Sequence, residues 1–289
     1  MKNENLGKTI IDELRLCYVA EPTFLETLSH LDFGERITID EIDLVRIMAQ
    51  HFHYSYSLHH NKMIMGYIYF GRYGDVSDYI WLKVDNRVLY QPEELKYLLL
   101  LFNEKLAVRF NNITRLDLAK DFKKNIVYTI TKLIRNKEIK TIMNGKVVKD
   151  RKKILNGLMV VYELSLDRLK HPSITLCQAE AAHNKSKGVT IQAYNKAAEI
   201  QHTKKEYISN FYGSPKTLHR LEVRLNSNEI HSFYNKIKRV ETVEDVFDTA
   251  LLTEMYFYFL GSVLRFTQGR TTIPWYKILA LPTQDNNIP

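Results

Sequence analysis

The chain has 289 residues, 45% of them apolar and 26% charged, with a formal net charge of +8. That mixture is typical of a globular protein and excludes a disordered or fibrous chain. The length allows one large domain or two of about 100–200 residues each, with a core that needs no covalent staples.

Two cysteines, Cys17 and Cys177, form no CxxC pair and no zinc spacing, so reduced thiols are expected. No apolar run reaches the roughly 18 residues of a membrane helix, and the N-terminus carries no apolar leader core. The expected location is cytoplasmic, away from membranes. A phosphate-cradling GxxxxGK[ST], a GxGxxG and an HExxH are all absent, and there are only 11 glycines. Charge is unevenly placed: residues 103–170 hold 17 Lys/Arg against 7 Asp/Glu, while residues 1–50 hold 5 against 10. A basic stretch beside an acidic end points either to a solvated face or to a polyanionic partner.

In chain order, Thr38-Ile39-Asp40-Glu41 reads as a helix start, with Thr38 as cap and Glu41 reaching back. Ile42, Val45, Met48, Ala49 and Phe52 follow as a helical stripe. Met63–Phe70 and Tyr79–Val84 read as a strand hairpin around a Gly71–Ser77 loop. Pro92-Glu93-Glu94 opens a helix to about Phe110, which Asn111-Asn112 ends. A strand over Ile113–Phe122 and a basic helix over Ile126–Lys137 follow. Further strands are predicted at Gly157–Leu164, Ile174–Cys177, Val189–Tyr194 and Leu218–Asn226. Val243–Phe266 reads as one long helix capped by Thr242, before a tail with an isolated Trp275-Tyr276.

Regular βαβ alternation is missing. The expected class is α+β, a mainly antiparallel sheet with helices packed on one face and a long C-terminal helix. The expected organisation is a helical segment over 1–60, a catalytic α+β sheet domain over 61–226, and a helical segment over 227–289 on the same core.

Three strands alternate apolar and polar residues. Leu116 and Leu118 oppose Arg115, Asp117 and Asp121; Leu221, Val223 and Leu225 oppose Arg220, Glu222 and Arg224; Ile191 and Ala193 oppose Gln192, Tyr194 and Lys196. One reading is a half-wet sheet whose charges make cross-strand pairs. The other is a shared site. Asp117 and Glu222 supply the oxygen ligands that Mg²⁺ or Mn²⁺ prefer. Arg115 and Arg220 suit bidentate phosphate contact. Tyr194 offers a nucleophile, with Lys196 or a metal ion to stabilise its charge.

These residues carry a resemblance. Arg115–Asp121 (RLDLAKD), Tyr194–Glu199 (YNKAAE) and Arg220–Leu225 (RLEVRL) resemble, in order and rough spacing, the three core motifs of the Rep_trans replication initiation factors. These are rolling-circle plasmid initiators with relaxase relatives in conjugative elements. The late Trp275-Tyr276 resembles the family's aromatic C-terminal segment, whereas Ile174–Ala181 lacks the glycine- and serine-rich turn usual there. The resemblance implies a nicking–closing enzyme forming a 5′-phosphotyrosine and a free 3′-OH. It implies Tyr194 as nucleophile and Asp117 and Glu222 as ligands of Mg²⁺ or Mn²⁺. It makes Asp121 and Glu199 further ligands or supports, and has Arg115, Arg220 and Lys196 contact the scissile phosphate. The implied partners are origin DNA, host helicase and polymerase, and a second copy in a homodimer.

Arg224 is an expected DNA contact, and the run Lys146, Lys149, Arg151, Lys152 and Lys153 reads either as a solvated loop or as a DNA-backbone contact, in which case binding falls steeply with salt. His51-Phe52-His53 spells the metal signature of another rolling-circle nuclease class. The helix expected from Thr38 to His51 argues against that use. A non-catalytic DNA-binding regulator and a water-using phosphodiesterase are the competing readings.

Overall fold

The computed structural model describes residues 5–72, 78–149, 173–177 and 188–280. Its elements run β1 (Ile10–Ala20), α1 (Pro22–Ser29), β2 (Arg36–Ile39), β3 (Ile42–Arg46), β4 (Phe52–His60), β5 (Met63–Arg72), β6 (Tyr79–Val84), α2 (Asn86–Leu89), α3 (Pro92–Lys105) and β7 (Val108–Phe122). Then come α4 (Ile126–Arg135), β8 (Ile139–Met143), β9 (Lys146–Val147), β10 (Ile174–Cys177), β11 (Thr190–Asn195), α5 (Lys196–Thr203), α6 (Glu206–Phe211) and β12 (His219–Asn226). The chain closes with α7 (Ser227–Ile237), a 3₁₀ turn (Val243–Phe247), α8 (Thr249–Val263), β13 (Leu264–Gln268), β14 (Thr271–Ile273) and α9 (Trp275–Leu279). The class is α+β with antiparallel pairing, as the missing βαβ alternation predicts.

The described residues form two compact units. The first unit takes residues 11–117 and 230–247. Its strands lie in the order β7-β1-β6-β5-β4-β3-β2, with the leading part of β7 at one edge. Alternation along β1 sends Leu14, Leu16 and Tyr18 to a fully buried face, where Tyr18 meets Phe102 of α3 with ring centroids 5.0 Å apart. At the chain return after α7, buried Asp245 accepts from Tyr234 Oη and from Thr242 N, each at 2.9 Å.

The second unit takes the described residues of 1–10, 118–229 and 248–289. It holds the order β10-β11-β12-β7, using the end of β7, and a four-stranded sheet β14-β13-β8-β9. Helix α4 packs on β11 and β12 through buried Ile126, Val127, Ile130 and Ile134, and α8 packs on β12, β8 and β13.

Several expectations are corrected. The helix from Thr38 to Phe52, and with it the helical character of residues 1–60, gives way to strands. Asp40-Glu41 is a two-residue hairpin loop between paired Ile39 and Ile42, with Asp40 at φ 51°. The Thr38 hydroxyl caps no helix; it donates to its cross-strand partner Asp43 at 2.6 Å. Met48, on the apolar stripe of the expected helix, is 81% exposed. Helix α3 stops at Lys105, and β7 runs through Asn111-Asn112, whose side-chain amides pair with each other at 2.9 Å instead of forming a turn.

The single helix over Val243–Phe266 is three elements. Asp248, not Thr242, caps α8 by accepting from Ala250 N and Leu251 N. After Val263 the burial period switches to two, with Leu264 and Phe266 buried and Arg265 exposed, and the chain becomes β13. The strand expected at Gly157–Leu164 lies outside the described residues.

Candidate active site

The second unit assembles the second and third motifs on two neighbouring strands. β11 and β12 pair so that Tyr194 faces Arg220, Gln192 faces Glu222 and Thr190 faces Arg224. Directly paired residues share a sheet face, which puts the polar residues in one patch. Tyr194 Oη donates to Glu222 Oε2 at 3.1 Å. The other oxygen of Glu222 accepts from Arg224 Nη2 at 2.9 Å, and the same nitrogen donates to Gln192 Oε1 at 3.3 Å. Glu222 is buried, while Tyr194 is half-buried and the Arg224 side chain is 31% exposed.

β11 ends at Asn195, one residue after Tyr194, and α5 starts at Lys196. Asn195 is the cap, its side chain accepting from Ala198 N at 3.1 Å. A strand that ends in a capped helix leaves Tyr194 little freedom of backbone position. Lys196 is buried in the first turn of α5, where a cation opposes the helix dipole. Its Nζ is compensated by Glu199 at 2.5 Å and lies 5.7 Å from the centroid of the Tyr194 ring. Lys205 also approaches Glu199, at 3.7 Å.

Arg220 and Asp121 form a pair with no exposed surface. Arg220 Nε donates to Asp121 Oδ1 at 2.8 Å and Nη2 to Oδ2 at 2.5 Å. The guanidinium expected at a phosphate is thus engaged bidentately with a carboxylate expected at a metal. Burial, with the charges of Asp121 and Glu222, pushes the buried Tyr256 hydroxyl far above its ordinary pKa; that hydroxyl donates to Leu221 O at 3.1 Å. Lys120, inside the first motif, donates to Gly7 O at 2.9 Å and faces the rings of Tyr256 and Phe257. Burial lowers its pKa to about 8. Sequence reasoning passed over Tyr256 and Lys120. Tyr256 was hidden in a run of core aromatics, and Lys120 lay off the polar parity of its strand.

The rest of the first motif lies in the first unit. Arg115 donates to both oxygens of buried Asp117, at 3.1 and 2.9 Å. It also pairs with Glu13 at 3.2 Å, a β1 carboxylate that no motif marked. Lys146 and Lys149 are exposed, Lys146 on a β8–β9 hairpin whose Asn144-Gly145 turn has both φ angles positive. Arg151, Lys152 and Lys153 lie outside the described residues. His51 and His53 are exposed at the start of β4, not at the end of a helix as expected. Among the described residues, no three His, Cys, Asp or Glu side chains are grouped to hold a metal ion, and no helix is long and apolar enough to cross a membrane.

No family model matches the chain. No curated protein matches it either. Among solved structures it is similar to a rolling circle replication initiator protein from Geobacillus stearothermophilus, at 12% identity and a TM-score of 0.44. The alignment covers 95% of this chain and 97% of that one.

Proposed function

We propose that this chain is a DNA nicking–closing enzyme that starts rolling-circle replication by attack of Tyr194 on a phosphodiester. The observation that carries the reading is the hydrogen bond from Tyr194 Oη to Glu222 Oε2. A phenol attacks poorly while it keeps its proton, and here a buried carboxylate is placed to take it. The three motifs resembling those of replication initiation factors lend the substrate class.

In this reading the Oη–P bond forms as the P–O3′ bond breaks. The phenolic proton passes to Glu222 and then to the departing 3′ oxygen. The products are a 5′-phosphotyrosine and a free 3′-OH, and the reverse attack reseals a strand. Lys196 supplies fixed positive charge beside the ring, held in place by Glu199. Arg224, partly exposed beside Glu222, contacts the incoming phosphate. Arg220 serves by holding Asp121, which keeps β12 and the end of β7 in register at the site.

The reading also includes Mg²⁺ or Mn²⁺. Both Asp121 oxygens already accept from Arg220, and Glu199 is shared by Lys196 and Lys205, so neither is offered to a cation. Both Asp117 oxygens accept from Arg115. Both Glu222 oxygens are engaged too, but by two separate groups, Tyr194 and Arg224, and not by one bidentate guanidinium, so Glu222 fits better: Mg²⁺ is commonly held through one or two carboxylates, with water and substrate phosphate completing its shell. An ion held there would neutralise charge on the phosphate oxygens.

The test is to incubate supercoiled DNA of the cognate replicon with wild type and Tyr194→Phe, with Mn²⁺, Mg²⁺ or EDTA, on a denaturing gel. The expected result is a metal-dependent nick with DNA covalently bound to protein, absent in Tyr194→Phe. A nick without an adduct that survives Tyr194→Phe would establish hydrolysis by water. Binding without any nick would establish a regulator. The same adduct on a transfer-origin substrate alone would assign the chemistry to conjugative relaxation.

A further inference from the structure

We propose that the face of the first unit's sheet opposite α3 is a stacking platform for single-stranded DNA. Strand register builds two adjacent rows there. One row runs Cys17–Trp81–Tyr69–Ser55 across β1, β6, β5 and β4. The next, two residues along each strand, runs Arg15–Lys83–Tyr67–Ser57. The first row sets two large rings between small residues. The second sets two cations about 7 Å away along the strands.

The rings form a continuous patch. Phe52 lies 5.2 Å from Tyr69 and 5.6 Å from Trp81, and Tyr79 lies 6.2 Å from Trp81, centroid to centroid. Tyr79 is 41% exposed, and Tyr69 and Trp81 are half-buried. A sheet face that only needed burial would carry aliphatic residues, as the α3 side does with Leu14, Leu16, Ile68 and Leu82.

Charge selects the occupant. Arg15 is close enough to Tyr69 to act on its hydroxyl, and Lys83 sits beside Arg15. The acid at this edge, Glu13, is divided between Arg15 (2.6 Å) and Arg115 (3.2 Å), which leaves the row positive. Aromatic rings beside cations on a partly exposed sheet face match unpaired bases with their phosphates, because every base has a π-face that a duplex conceals. The inference goes beyond Tyr194 chemistry and does not depend on it.

The experiment titrates fluorescein-labelled oligo(dT), oligo(U) and a duplex of equal length with the full chain. Variants are Tyr69→Ala, Trp81→Ala, Tyr69→Phe, Trp81→Phe and Lys83→Gln. Oligo(dT) is expected to bind tighter than the duplex. Each alanine variant is expected to weaken it roughly 5- to 150-fold, and each phenylalanine variant no more than about twofold. Lys83→Gln should lower the salt slope by about 0.7. All titrations are run in EDTA, where the metal-dependent nick is not made, so nicking can fail while this inference stands, and the reverse.

The chain has two tryptophans and Trp275 is buried, so a change in wild-type emission on contact with DNA reports Trp81. Saturating oligo(dT) should quench it, which tests the platform even where an alanine variant does not fold. Unchanged emission, alanine variants at wild-type affinity, equal affinity for duplex, or preference for oligo(U) would each overturn the proposal.

Discussion

The Arg220–Asp121 pair offers the sharpest test of how the site is held. Both residues have no exposed surface, and two hydrogen bonds of 2.8 and 2.5 Å join them. Replacing Arg220 with Gln leaves the Asp121 carboxylate buried without its cation, close to the Glu222 charge that also acts on Tyr256. Removing one member of a buried pair costs about 3–5 kcal/mol, roughly a fifth or more of a typical total stability of about 5–15 kcal/mol. At about 2–4 °C per kcal/mol, Tm should fall by roughly 6–20 °C. Replacing both partners with apolar residues of similar size is often close to neutral. The double variant Arg220→Met/Asp121→Leu should therefore regain most of the loss, with a coupling energy of about 2 kcal/mol or more in urea unfolding. Nicking separates the two roles proposed for Arg220. If it holds the sheet, the double variant recovers part of the activity lost in Arg220→Gln. If it touches phosphate, the double variant is stable and inactive. Single variants within about 0.5 kcal/mol of wild type, or strictly additive losses, would refute the account of a buried, mutually dependent pair.

Other predictions rest on single contacts. Glu222→Gln should lower single-turnover nicking about 10²- to 10⁴-fold, the usual worth of a positioned base, and a rate within threefold of wild type would remove Glu222 from that role. Asn195→Ala removes the α5 cap and should cost about 0.5–2 kcal/mol in denaturant unfolding, with nicking falling by more than stability explains; an Asn195→Asp variant that keeps both would locate the effect in the cap. Lys120 should shape stability at alkaline pH. Its pKa falls from 10.5 to about 8 on folding, so between those values the unfolded chain holds more protons and stability rises with pH. The cost of the buried ammonium is complete below pH 8 and gone above 10.5. The stability difference between wild type and Lys120→Met should therefore move in favour of wild type across that window; a flat difference in urea melts from pH 7 to 10.5 would refute it.

Strand signals were legible where alternation was strict. Tyr79–Val84 and Ile174–Cys177 match their observed bounds, because aromatic and β-branched residues with flanking breaks leave little choice. The N-terminal hairpin was not legible, since Thr38-Ile39-Asp40-Glu41 satisfies a helix cap and a two-residue hairpin turn equally well. Pairing of Thr38 with Asp43 decides between them, and that contact exists only once β2 and β3 meet. The Asn144-Gly145 turn carries a two-residue hairpin signal, but it adjoins a basic run that reads equally well as a solvated loop. In the site, the polar parity of β11 and β12 grouped Tyr194, Glu222 and Arg224 correctly. Parity says which residues share a face but not which charges bond, so the commitment of Arg220 to Asp121 could not be read from spacing.

That commitment divides the motif residues by accessibility. Arg220, Asp121, Lys196 and Glu199 neutralise one another in two close pairs, one wholly buried and one reaching partly into solvent at Glu199. Such pairs contribute little net stability over apolar substitutes, yet each is costly to break singly. A sheet that carries them therefore resists partial rearrangement near Tyr194. Glu222 is the exception, buried but bonded to a neutral phenol on one oxygen and to a partly exposed guanidinium on the other. It can exchange a partner at modest cost, by receiving a proton from Tyr194 or by releasing Arg224 to an incoming phosphate. Rigid pairs around one exchangeable carboxylate are what a reversible phosphoryl transfer needs, because the same geometry must serve attack and resealing.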